Sequence, residues 1–413
     1  MELSERAKKG LEIVPFELDE ESLTDAQREQ VGLGSYLVNA AGECFGCHST
    51  PQPNGPPLYM GGGTPFPIGP SGEVVYARNL TPDADTGMKL TEAEFIESMR
   101  TGKDYASEDE AEQLIVMPWT ALRWASTDDL KAMYAYLKRV PAVRNPVPND
   151  IKGAAGAARP VPFPGSFTDG AVARTLPAEN SQDALNSQRG LAIQPLADPP
   201  GLASLSEAER ASYGRGSYLA NALSNCNACH TNPERDFSPG PNYAKVNAAQ
   251  FLTGGQVFTV PPGLNVLSRY TRSMTTNLLG ETHGRLPDTY EQFRQIITSG
   301  EVTQGSTTRK LAFPMAGAAA AYAQLVDDDL KAIYTYLKAQ TPLTGAADKR
   351  TQPPARYCST SAECASGESC NAATNECVGG ACTQDSDCGA CQTCTANVCA
   401  APQPSSACLR SGI

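Results

Sequence analysis

The sequence predicts an all-α protein: two tandem helical domains followed by a small disulfide-rich module. Three observations predict it. GSYLVNAAGECFGCH at Gly34–His48 returns as GSYLANALSNCNACH at Gly216–His230, and DDLKAMYAYLK at Asp128–Lys138 returns as DDLKAIYTYLK at Asp328–Lys338. Apolar residues within each copy fall at helical spacing, with no strong strand period. Ten of the 14 cysteines crowd into Cys358–Cys408.

The offset between the copies grows in steps. It is 182 residues across the cysteine motif (Gly34 to Gly216), 198 at Asn79 and Asn277, and 200 across the last helix (Asp128 to Asp328). The second copy thus carries 16 extra residues after its cysteine motif and two more before its last helix. A tandem copy implies two similar domains, each folding about its own centre. The division expected is an N-terminal arm at 1–28, a first domain at 29–148, a linker at 149–204, a second domain at 205–345 and a tail at 346–413. The linker is rich in Ala, Gly and Pro, and is expected to drape over the surface.

Thr24–Gln27 and Ser206–Glu209 have the pattern of capping boxes that open the first helix of each copy, and Thr91–Glu94 opens a middle helix carrying Phe95, Ile96 and Met99. The last helix carries Leu130, Met133, Tyr134 and Leu137, matched by Leu330, Ile333, Tyr334 and Leu337. That spacing marks a buried face. Long Gly- and Pro-rich stretches such as Pro51–Gly72 separate the helices. Domains with so few helices need something else in the core, and a large apolar cofactor would serve.

Two motifs carry the chemistry. Cys44-Phe45-Gly46-Cys47-His48 and Cys226-Asn227-Ala228-Cys229-His230 have the CxxCH spacing of covalent haem attachment. Two thiols one helical turn apart can each add to a haem vinyl group, and the imidazole that follows ligates the iron. A CxxC alone also suits a redox dithiol or half a zinc site. Zinc needs further Cys or His nearby, and the dithiol needs a βαβ context; the sequence supplies neither. The expectation is two haem c groups attached through Cys44, Cys47, Cys226 and Cys229, with His48 and His230 on iron.

The sixth ligands are expected from the repeat. Met117 precedes the last helix, and Met315 stands at the mid-domain offset of 198. Met60 and Met88 have no Met in register, while Met99 and Met133 align with Ile297 and Ile333 and read as core. A thioether opposite His gives six-coordinate iron of raised potential. His283, the third imidazole, reads as a surface or structural residue. The carbonyls of Pro51 and Pro233 are expected to accept from the ring nitrogen of each axial His that faces away from iron.

Composition narrows the partners. The 413 residues hold 33 Lys plus Arg against 45 Asp plus Glu, a net charge of −12. That excludes the basic footprint of a nucleic-acid binder and favours a basic partner surface. No run reaches the roughly 18 apolar residues of a membrane span. The cysteine-dense tail places the chain in the periplasm or outside the cell, since reducing cytosol would keep such thiols open. Met1–Gly10 has no apolar signal region, so the expectation is either a signal peptide absent from this numbering or a misplaced start.

Both copies resemble class I c-type cytochrome domains. GSYLxNAxxxCxxCH, then Asn79-Leu80-Thr81-Pro82-Asp83, Met117-Pro118-Trp119 and DDLKAMYAYLK, is similar to domains in the multihaem cytochrome subunits of bacterial periplasmic alcohol and aldehyde dehydrogenases. The resemblance covers about residues 29–148 and 205–342. Those subunits usually carry three haems, and this chain has two motifs. The second copy has Leu279-Gly280-Glu281 in place of the Thr-Pro-Asp run, and Ala316 after its Met.

The tail is a short repeat of its own. Cys358, Cys364, Cys370 and Cys377 are followed by Cys382, Cys388, Cys394 and Cys399 at similar spacing, leaving Cys391 and Cys408 to pair with each other. Interleaved first-to-third and second-to-fourth pairing is one pattern among many. With few large apolar residues the module relies on disulfides, as a stability cap or a docking module. A metal cluster is not expected, since no His accompanies the thiols.

The function expected is single-electron transfer between a redox donor and an acceptor, such as a periplasmic dehydrogenase or a terminal oxidase, through two closed His/Met irons. The alternative is a dihaem enzyme, a peroxidase or small-molecule dehydrogenase, with one labile iron position. That would need acid–base groups, of which His283 is the one spare imidazole.

Overall fold

The computed structural model describes residues 2–52, 55–69, 71–107, 109, 112–164, 166–178, 183–236, 243–259, 272–274, 277–279, 286–304, 307–311, 314–343, 360–363, 369–371, 376–378, 393–395 and 398–400. These residues are mostly helical, with short antiparallel strand pairs between the helices. The chain divides into two compact units. The first comprises 1–194, 204–225 and 321–336, and the second 195–203, 226–320 and 337–413.

Five helices build the frame of the first unit's N-terminal half: α1 (Glu5–Glu12), α2 (Asp25–Tyr36), α3 (Cys44–His48), α4 (Glu92–Thr101) and α5 (Trp119–Leu122). α6 (Thr127–Leu137) closes the copy. The capping boxes at Thr24 and Thr91 form as expected, and both copies share the device through Ser206 at the head of α8 (Glu207–Tyr218). Each satisfies two otherwise orphaned backbone donors.

The repeat is longer than the cysteine motif suggests. The segments expected as arm and linker each contain a helix, α1 and α7 (Asp183–Ala192), that lies across the next one. The crossings are backbone-tight. A Cβ on Gly10 would lie 1.7 Å from the Gly32 carbonyl oxygen, and one on Gly190 would lie 1.7 Å from that of Gly214. A second crossing sets α2 on α6, where a Cβ on Gly34 would meet the Ala132 carbonyl oxygen at 1.9 Å. Gly216 and Ala332 repeat that figure.

Linker residues 149–169 form a strap over the first copy. Ile151 exchanges both backbone hydrogen bonds with Val74, Gln113 Nε2 donates to the Arg159 carbonyl, and Trp124 Nε1 donates to Asp169. Phe163 and Phe167 pack on Trp124, and the Arg100 guanidinium lies over the Phe163 ring.

The last-helix stripe is as expected at Leu130, Met133 and Leu137, but Tyr136 is fully buried and Tyr134 only half so. The second copy does the same with Tyr336 and Tyr334. The reason is a hydrogen bond. Tyr136 OH accepts from Asn39 Nδ2 at 3.0 Å, and Tyr336 OH accepts from Asn221 Nδ2 at 3.1 Å.

In the second unit, α9 (Cys226–His230) is followed by α10 (Tyr290–Ser299) and most of α11 (Met315–Tyr322); α12 (Asp327–Ala339) comes next, its residues 327–336 in the first unit. The tail contributes two hairpins, with Cys370 opposite Cys377 and Cys394 opposite Cys399. Cys370 is disulfide-bonded.

Candidate functional site

The approach to the first CxxCH is a widened turn. α2 runs into a π-helical turn at Leu37–Ala41, where Gly42 N–H donates to the Leu37 carbonyl at 2.8 Å. Such turns insert one extra residue and often mark functional sites. Glu43 then takes a left-handed conformation (φ 49°) and α3 begins at Cys44. The second copy repeats this: a π turn at Leu219–Leu223, Ser224 N–H to the Leu219 carbonyl at 2.8 Å, Asn225 at φ 45°, then α9.

None of the four motif thiols is in a disulfide. Burial pushes the Cys44 thiol up to about 12 and those of Cys47 and Cys226 up to about 11. A redox dithiol needs the opposite, a thiolate stabilised near neutral pH. Among the described residues no group of three or more His, Cys, Asp or Glu is placed to hold a metal ion, as a zinc site would require.

His48 is buried and its orientation is set. Nδ1–H donates to the Arg78 carbonyl at 2.8 Å, which leaves the Nε2 lone pair for a metal. Burial lowers its pKa and favours the neutral, ligating form. This corrects the expectation that the Pro51 carbonyl would accept. The loop after the motif folds back: Gly62 N–H donates to the His48 carbonyl, and Leu80 N–H to that of Met60. Arg78 thereby reaches the imidazole. The approach needs Gly62 (φ 70°), where a Cβ would lie 2.5 Å from the Arg78 carbonyl carbon.

The second copy keeps the backbone scheme. Gly254 N–H donates to the His230 carbonyl at 2.6 Å, and Leu278 N–H to that of Leu252 at 2.8 Å. Leu252 (φ 55°) stands in register with Met60 (φ 57°), and both are buried, so Met60 is a packing residue. The 16 extra residues split accordingly: ten precede Leu252 and six separate Gly254 from Asn277. Asn79 Nδ2 donates to the Val143 carbonyl at 2.8 Å, and Asn277 Nδ2 to that of Leu343 at 2.7 Å. Each Asn Oδ1 also accepts a backbone N–H two residues on. The repeated Asn-Leu pair therefore ties the loop to the chain beyond the last helix.

The two candidate methionines occupy matched loops. Gly102 and Gly300 end α4 and α10 in left-handed conformations, and their carbonyls accept from Leu114 and Leu311. Met117 lies three residues beyond the first of these and Met315 four beyond the second. Both are half-buried. Each lies in the same compact unit as its histidine, His48 with Met117 and His230 with Met315. The placements differ in detail: Met117 precedes α5 by two residues, whereas Met315 is the first residue of α11. Trp119 packs on Gly102 and Ala319 on Gly300, so the offset grows from 197 at Leu311 to 200 at Ala319 across the stretch that holds Met315. His283 lies outside the described residues, as do the side chains of the tail cysteines other than Cys370.

Three features at the first motif escaped the sequence reading. Asn39 Oδ1 accepts from Tyr59 OH at 2.6 Å, and Tyr59 OH lies 2.7 Å from Tyr136 OH. In register with Tyr59 is Phe251, which has no hydroxyl, and Asn221 Oδ1 has no hydrogen-bond partner among the described residues. Burial pushes the Glu43 carboxyl up to about 7. Arg78 completes the set; no local signal pairs it with His48, 30 residues away. The donor set as a whole fits a covalently held haem: two protonated thiols one turn apart, and a neutral imidazole with one nitrogen committed to a carbonyl.

No protein-family model matches the chain. Among similar curated proteins, one subunit of the nicotinate dehydrogenase of Pseudomonas putida is 30% identical over 56% of this chain and 16% of its own length. The fructose dehydrogenase cytochrome subunit of Gluconobacter japonicus is 34% identical over 36% of this chain and 25% of its own. The cytochrome c subunit of the quinone alcohol dehydrogenase of Gluconobacter oxydans is 25% identical over 76% and 55%. The chain thus spans from about a sixth to about half the length of these relatives. It is a distant homologue of the cytochrome c subunits of bacterial dehydrogenases.

Proposed function

We propose that the chain is a dihaem c-type cytochrome of the periplasm or cell exterior that passes single electrons between redox proteins. Cys44 and Cys47 hold one haem and Cys226 and Cys229 the other. His48 with Met117, and His230 with Met315, close the two irons. When bound, the group supplies a reversible one-electron iron couple. The chain's own residues orient, bury and tune it. His48 is fixed by the Arg78 carbonyl, and the neutral imidazole suits an electron carrier with no substrate on iron.

The observation that carries this reading is the duplicated approach, a π turn, one left-handed residue and a CxxCH helix, in a chain homologous to cytochrome c subunits. The dehydrogenases named by the relatives suggest the donor, and a terminal oxidase or another carrier the acceptor. With a net charge of −12, docking to a basic partner is expected to weaken as salt rises. The tail, in this reading, is stapled by its ten cysteines. No helix among the described residues is long and apolar enough to cross a membrane.

The test is the visible spectrum of the reduced protein before and after carbon monoxide, with haem counted per chain. Two haems and an unchanged spectrum are expected. A shift in one haem would expose an exchangeable iron position, most readily at Met315, and put the dihaem enzyme in place of the carrier.

A further inference from the structure

Arg78 joins the site of the first copy to a cluster of charges. Its carbonyl accepts from His48 Nδ1. Its guanidinium lies 2.8 Å from Asp150 Oδ2 and 3.3 Å from Asp104 Oδ2. Lys152 Nζ sits 2.8 Å from Asp104 Oδ2, 2.8 Å from Glu112 Oε2 and 3.9 Å from Asp150 Oδ2. The side chains of Asp104, Asp150 and Lys152 are 3%, 8% and 9% exposed. Backbone donors fix the acids as well: Tyr76 N–H on Asp150 and Ala106 N–H on Asp104. Three separate segments, the strand at 74–76, the loop at 103–112 and the strap at 150–152, therefore meet on Arg78.

Buried ion pairs rarely repay their desolvation as stability, and geometric specificity is one use for which they persist. In the sequence of copy two, two of these positions differ. Thr276, just before Asn277, replaces Arg78, and Val302, two residues beyond Gly300, replaces Asp104.

We propose that Asp104, Asp150 and Lys152 are positioning residues for the first iron site. By holding Arg78 they hold the carbonyl that orients His48, so the potential of that site depends on a cluster in which copy two has Thr276 and Val302 at the positions of Arg78 and Asp104. The inference rests on the dihaem reading above. The chemistry has a direction. A firm Nδ1–H bond to a carbonyl raises the basicity of the imidazole, which favours ferric iron and lowers the potential. Loosening it raises the potential.

The test is a redox titration of the full-length holoprotein carrying Lys152→Met. Loss of a positive charge alone would lower the potential, whereas loss of His48 orientation raises it, so the sign discriminates. One of the two waves is expected to rise, by about tenfold in the reduction equilibrium or 59 mV for one electron, while the other stays. Lys152→Arg should restore it. Arg78→Lys, which keeps the charge but not the planar fork, should raise the same wave and serves if Lys152→Met fails to fold. A fall, no movement, or equal movement of both waves would overturn the proposal. Fewer than two haems in the unaltered chain would instead overturn the dihaem reading.

Discussion

Glu43 and Asn225 occupy the same left-handed position ahead of their cysteines, and they are not equivalent. Asn tolerates that region well and Glu does not. Glu43 also carries a carboxyl that burial pushes up to about 7, against about 4.3 in an unfolded chain. Between those values the folded state binds the extra proton, so this group's contribution falls as pH rises from about 4.3 through about 7. Glu43→Gln is therefore expected to stabilise the protein by on the order of 2 kcal/mol at pH 8 and by almost nothing at pH 4. Thermal melts at the two pH values check this. An equal gain at both would assign the effect to packing.

At the scale of elements, helix approach is decided by small residues. Gly34 lets α2 touch α6, and Gly216 does the same against α12. Gly34→Ala or Gly216→Ala should cost about 3 kcal/mol, because the Cβ would meet a carbonyl oxygen held by its own helix. Gly317→Ala, in α11 with open space around it, should be neutral or up to about 1 kcal/mol stabilising through helix propensity. Urea midpoints of the three variants compare them directly. Much at this scale was legible in the sequence. Thr24, Thr91 and Ser206 cap where the pattern places them, since a capping box involves only four residues. Helices α1 and α7 were not read from the sequence: the match that relates them, Gly10-Leu11, Ile13 and Pro15 with Gly190-Leu191, Ile193 and Pro195, lies at an offset of 180, two short of that at the cysteine motif. The π turns were equally hidden, because Leu37–Ala41 reads as ordinary helix in composition.

At the scale of the molecule, the first unit is held by a reciprocal exchange between the repeats. Tyr36 OH donates to Asp329 Oδ2 at 2.7 Å and accepts from Val326 N–H. Tyr218 OH donates to Asp129 Oδ2 at 2.6 Å and accepts from Ser126 N–H. Each repeat's first helix thus caps the head of the other's last. Tyr36→Phe and Tyr218→Phe should each lower stability by about 2 kcal/mol, and the two losses should be similar. Loss at one site only, by calorimetry, would break the reciprocity. Asp329 is gripped further by two guanidinium forks, Arg215 and Arg6. Burial alone would raise its pKa, but Arg215 and then Arg6 hold it well below the usual carboxylate range. Its contribution is full above about pH 4 and fades only as pH falls through that depressed value. Arg215→Ala leaves a buried carboxylate short of a partner, so a loss of about 3 kcal/mol at pH 7 is expected in chemical denaturation.

The sequence by itself determined what lies within a few residues. The CxxCH helices, the caps, the last-helix stripe and the doubled order of the chain are all carried by local spacing, and the structure has them as helices, caps and repeats. Tertiary structure alone decided the partners. His48 hydrogen-bonds to Arg78 rather than to Pro51 because the loop after the motif returns through Gly62. The linker is a strap because Ile151 pairs with Val74. Tyr36 answers Asp329, 293 residues away. Such contacts depend on where loops carry the backbone, and no short period in the sequence encodes that path.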